Sequence, residues 1–178
     1  MADALRSSPS ALNIIIVNSS LYQLIFSNSG VVVALVDAAA AASSHAHWCS
    51  TNAARAVSSI NFLPNEHFNL AEAKQALATS IHLHAEAVRA YEAARTAAEL
   101  AAKAYTETTL RTGSFSETVL PYLNNFAVGL AKKSVVTIKV ALSVNVADLA
   151  RIGVQLIRVG EAIERGQRLI DYREQFYD

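Results

Sequence analysis

At 178 residues the chain has room for one domain with a sizeable buried core. Hydrophobic residues make up 52% and charged residues only 17%, under the about 25% usual for globular domains, so polar surface is scarce and some apolar surface is left for a partner. Fifteen basic residues balance fifteen acidic ones and no basic run exceeds Lys132 and Lys133, which excludes the broad positive field of a direct nucleic-acid binder.

Residues 11–36 carry no charge, yet Asn13, Asn18, Ser19, Ser20, Gln23, Ser27, Asn28 and Ser29 interrupt the apolar runs. A membrane span needs about 20 mostly apolar residues, and a secretory signal needs an unbroken apolar centre. Residues 1–29 are therefore read as an N-terminal apolar arm, with insertion into a bilayer as the alternative. A first helix is expected within 30–60.

Pro64 sits in a turn-rich stretch, which places an interhelical turn at 61–69. Asn69 reads as the N-cap of the second helix, with Glu72 three places on, so that helix starts at Leu70. Leu70, Leu77, His84, Tyr91, Ala98 and Tyr105 recur at steps of seven, and beside them runs a row of small residues, Ala73, Ser80, Ala87, Ala94, Ala101 and Thr108. That row lets a neighbouring helix come close. Glu86, Arg89, Glu92, Arg95, Glu99 and Lys103 read as a solvated face. The helix is expected to run to about Thr112 and stop at Gly113. A second turn follows at 113–121, where Ser114 and Glu117 form a capping box and Pro121 either kinks the helix or opens a new one.

In the final third, Val128, Val135, Leu142, Leu149, Leu156, Ile163, Ile170 and Tyr177 recur every seventh position, the repeat of a long helix laid along a partner. Ala131, Ile138, Asn145, Ile152 and Val159 form a companion row, with Asn145 as a polar residue in an apolar seam that can set register. Gly153 and Gly160, seven apart, suggest close approach by another backbone. Against this, 136–146 alternates β-branched and polar residues with period two, which alone reads as a strand. Helix is preferred because the seven-step register passes through the segment without a slip.

Chemistry is sparse. His45 and Cys49, four apart, offer two metal ligands, and two ligands do not make a site. Cys49, the only cysteine, excludes an internal disulfide framework and reads as a small buried hydrophobe. His82 and His84 point about 200° apart on a helix and cannot grip one ion. No nucleophile elbow, Gly-rich phosphate loop or His-Glu-x-x-His pair is present. No metal, cofactor or small-molecule substrate is expected.

The sequence therefore predicts an all-α fold, an elongated bundle of three or four long helices forming a single domain over 1–178. The second helix would be about 65 Å long and the third, within 116–177, about 85 Å if unbroken. The α+β alternative puts strands near 12–17, 21–26, 31–36 and 136–146. The expected function is a non-enzymatic structural subunit, a homo-oligomer whose assembly interface is Val128, Val135, Leu142, Asn145, Leu149, Leu156, Ile163 and Ile170 with Leu77, Tyr91 and Tyr105. Gly153, Gly160, Ala87, Ala94 and Ala101 are the expected close-packing positions. The rival is a membrane-active helical protein that inserts its charge-poor segments into lipid.

Overall fold

A computed structural model describes the backbone of residues 11–61, 68–119 and 125–177, and the side chains of 30–60, 68–107 and 137–175. The described residues form three α-helices and no strand: α1 (Ala11–Asn61), α2 (Leu70–Val119) and α3 (Asn125–Tyr177). The protein is an all-α helical bundle.

The strand alternative fails for a reason visible along 136–146. In a strand, Ile138, Val140, Val144 and Val146 would share one face. Instead Ile138 is buried together with Asn145, while Val140, Val144 and Val146 are exposed. Only the helical period sorts them that way.

Three boundaries differ from the sequence reading. Residues 11–29 are helical and continue into α1 instead of forming a separate arm; asparagine and serine are only mildly unfavourable in a helix and no proline interrupts them. Gly113 does not end α2, and Ser114 and Glu117 lie inside it as ordinary helical residues. One glycine costs about 1 kcal/mol against alanine, too little to stop a helix that continues to Val119. Pro64 and Pro121 lie outside the described residues. At Asn69 the expected cap holds: Asn69 Oδ1 accepts from the backbone N–H of Ala71 (3.0 Å) and Glu72 (3.3 Å), and the Asn69 carbonyl accepts from Ala73 N (3.0 Å). These bonds satisfy donors that the first turn leaves open.

By packing the chain divides into two units. Unit 1 comprises Met1–Val36 and Glu99–Leu142, and unit 2 comprises Asp37–Ala98 and Ser143–Asp178. In unit 1 the described core is Val32, Val36, Ala101 and Ile138, flanked by Leu35, Tyr105 and Leu142.

Unit 2 holds three apolar layers. Ala39, Ala94, Ala98 and Leu149 make the first, Ala46, Cys49, Ala87, Ile152 and Leu156 the second, and Val57, Ile60, Ala73, Leu77 and Ile170 the third. The small-residue row of α2 lies at the centre of this packing: Ala73, Ser80, Ala87 and Ala94 are all buried. Ser80 Oγ donates to the Ala53 carbonyl at 2.8 Å, an interhelical bond that makes a buried hydroxyl affordable. The Thr108 side chain lies outside the described residues.

Glycines on α3 receive side chains from α2 and, at Gly166, from α1 as well. A Cβ on Gly153 would stand 3.2 Å from Tyr91 Oη, one on Gly160 3.7 Å from His84 Nε2, and one on Gly166 3.2 Å from Val57 Cγ2 and 3.5 Å from Leu77 Cδ1. The stripe Leu77, His84, Tyr91 thus fills notches on the facing helix. At Gly153 and Gly160 the sequence reading expected another backbone; the atoms found closest to these positions are side-chain atoms of Tyr91 and His84. His84 is held there by a 3.0 Å contact between Nε2 and the Leu156 carbonyl.

Candidate functional site

Among the described residues of unit 2, reactive groups converge at a place built from α1 and α2. His45 and Cys49 are one helical turn apart on α1 and so share a face. The α1–α2 hairpin brings Glu86 opposite them. His45 Nε2 lies 3.6 Å from Cys49 Sγ, and the thiol points at Glu86 Oε2, 3.9 Å away. The three ligand atoms all lie within 4.8 Å of one another. Ala46, Ala87, Ile152 and Leu156 form the apolar floor beneath the sulfur.

The surroundings orient two of the three groups. Trp48 stacks on His45, with ring centroids 6.3 Å apart and planes 11° from parallel. The other carboxylate oxygen, Glu86 Oε1, faces His82 Nε2 at 3.6 Å and Arg89 at 4.0 Å, which leaves Oε2 turned to the sulfur. His45 is exposed, Glu86 half-buried and Cys49 fully buried, so the cluster opens on solvent from one side.

Loss of solvation raises the Cys49 thiol above its ordinary value of 9.0, and the nearby Glu86 carboxylate adds to the rise. The sulfur is therefore protonated at neutral pH and a poor nucleophile. The sign of the stability effect follows. A raised folded-state value means that the unfolded chain loses the thiol proton first as pH climbs, so stability is full below about pH 9 and declines above it. Urea midpoints measured on the alkaline side should fall more steeply for the wild type than for Cys49→Ala. Equal slopes would contradict the burial of the thiol beside a carboxylate.

The residues expected to form an assembly interface are arranged differently. Asn145, Leu149, Leu156, Ile170 and Leu77 are buried within the chain, and Leu142, Ile163, Tyr91 and Tyr105 are half-buried. Ala87, Ala94 and Ala101 are buried as well. Within each unit the buried ones pack the chain's own helices together, and the half-buried ones keep part of their surface in solvent. Val128 and Val135 lie outside the described side chains. The heptad stripe locates the inner face of α3 and cannot say whether the facing helix belongs to the same chain.

The outer face of α3 is also apolar. Val146, Val154 and Ile157 are exposed, at 62%, 51% and 65% of their surface, and Ala147 and Ala150 between them are exposed too. Spacings of three and four put these five on one side of the helix, opposite Leu149, Ile152 and Leu156. Within 143–157 the exposed charge is confined to Arg151, which pairs with Asp148 at 3.2 Å. Periodicity alone does not single out this second face, because two of its five members are alanines and spacing does not tell a covered apolar stripe from an open one. It also left Glu86 on the solvated face, where its charged neighbours on α2 do lie.

No family model matches the chain, and no curated protein or solved structure matches it either.

Proposed function

We propose that the chain is a non-enzymatic structural subunit that associates with copies of itself through the outer face of α3. The observation that supports this is the two-sided apolar character of the helix: one side is covered by the chain's own helices, while Val146, Val154 and Ile157 remain in water. Burying a side chain of that size is worth about 1.5–3 kcal/mol, and soluble monomers rarely leave such residues clustered. Two α3 faces meeting side by side would cover both stripes at once, an isologous contact. The alanines between the valines allow close helix approach.

Sedimentation of the full chain across a dilution series tests the reading. The wild type should sediment as an oligomer that dissociates on dilution, and Val154→Glu with Ile157→Glu should shift it to monomer while leaving the helical circular dichroism intact. A wild-type chain that stays monomeric and cooperatively folded at high micromolar concentration would overturn it.

A second reading rests on a specific feature. Among the described residues one helix, Thr137–Gln175, is long and apolar enough to cross a membrane by length and composition. The same exposed face could then lie against acyl chains in a membrane-active protein. Co-sedimentation with phospholipid vesicles and dye leakage separate the two, since self-association alone produces neither.

A further inference from the structure

We propose that His45, Cys49 and Glu86 form a zinc site, with the fourth position open to solvent. The geometry carries this. Zinc binds thiolate sulfur at about 2.3 Å and imidazole nitrogen at about 2.0–2.1 Å, so at a tetrahedral angle the two ligand atoms stand about 3.6 Å apart. Cys49 Sγ and His45 Nε2 are 3.6 Å apart, and the sulfur-to-Glu86 Oε2 distance, 3.9 Å, is close to the same tetrahedral edge. Three ligands of different chemistry, from two helices, are already arranged around one point.

The donor set selects the metal. Thiolate and imidazole favour zinc over magnesium or calcium, which require several hard oxygen ligands. Thiolate and carboxylate together neutralise a divalent ion, so the completed site puts no net charge against the apolar floor of Ala46, Ala87, Ile152 and Leu156. Neighbouring groups orient two of the ligands: Trp48 stacks on the His45 ring, and His82 and Arg89 lie beside the Glu86 oxygen that does not face the sulfur. With its Nε2 lone pair on the metal, His45 keeps its proton on Nδ1. Binding is written Cys49–SH + Zn²⁺ → Cys49–S–Zn⁺ + H⁺, the proton passing to solvent and no electron being transferred. The groups recorded against the sulfur are His45 on α1 and Glu86 on α2, with the apolar Ile152 and Leu156 of α3 in the same cluster.

The test uses tag-free full chain, stripped with chelator and kept reduced by a phosphine. Titration with Co²⁺ should give a near-ultraviolet thiolate-to-cobalt band saturating at one ion per chain, with one proton released and quenching of Trp48, the only tryptophan. Zn²⁺ should bleach the band. Glu86→Gln and His45→Gln should each weaken binding at least about tenfold, the lower bound for losing even a supporting group. His45 is exposed, so its replacement tests the site even where a change at buried Cys49 disturbs folding. Absence of the thiolate band, or undiminished affinity in both variants, overturns the proposal. Neither result bears on self-association.

Discussion

Ile60→Ala is expected to lower the free energy of unfolding by about 2–5 kcal/mol, the range for truncating a fully buried aliphatic side chain. Ile60 is 1% exposed and packs with Val57, Ala73, Leu77 and Ile170, so all three helices of unit 2 lose contact with it. Collapse around the gap is limited. Phe68, Leu70 and Leu169 close the layer from its side, and Arg173 lies over the Phe68 ring at 5.0 Å, fixing that boundary. The cavity therefore persists and the loss should fall in the upper half of the range. Urea unfolding followed by circular dichroism would show a lower midpoint at unchanged slope. Ile157→Ala on the outer face provides the contrast, with a change within about 0.5 kcal/mol for the monomer. A loss below about 1 kcal/mol at Ile60 would mean that this layer is not a packed interior.

Two glycines on the same helix should respond with opposite signs. Gly160→Ala meets His84 at ordinary contact distance and removes a helix-weakening residue, so stability should rise by about 1 kcal/mol. Gly166→Leu introduces a branched side chain where even a Cβ would stand 3.2 Å from Val57 Cγ2 and 3.5 Å from both Ile60 Cδ1 and Leu77 Cδ1. Those three residues belong to one packed layer and cannot all yield, so overpacking should cost about 1–3 kcal/mol or more. Thermal unfolding of the two variants side by side reads the sign directly. If both were stabilised, the notch at Gly166 would not be filled as described.

Helix formation, the Asn69 cap and the inner face of α3 were legible because each depends on local spacing. The row Ala73, Ser80, Ala87, Ala94 was likewise readable as the closest-packed line of α2. What spacing could not supply was the identity of the facing helix. A seven-step stripe looks the same whether its partner is another copy or the next segment of the chain, and here Leu149, Leu156 and Ile170 meet their own α1 and α2. The site shows the same limit. His45 and Cys49 were visible as a pair, but Glu86 joins them only through the hairpin. The cross-helix partners Ser80 with Ala53 and Glu86 with Cys49 are symmetric about a point near position 67, inside the turn expected at 61–69. Reflecting Cys49 through that turn would have pointed at Glu86. The helix ends were missed at Gly113 and at residue 29 because intrinsic preference is weak beside continuation of an existing helix.

The apolar outer side of α3 has a consequence for how the fold is selected. With Val146, Val154 and Ile157 on one side and Leu149, Ile152 and Leu156 on the other, water exclusion within 143–157 barely distinguishes the native orientation from one in which the helix is spun half a revolution about its axis. The exposed charges further along α3, Arg158, Glu161, Glu164, Arg165 and Arg168, oppose that rotation, and shape adds to the energy gap. Gly153 and Gly160 receive the rings of Tyr91 and His84, and Gly166 receives Val57, Ile60 and Leu77. A rotated helix would set β-carbons against those side chains in place of the glycines, so the missing methyl groups act as keys that favour the native arrangement.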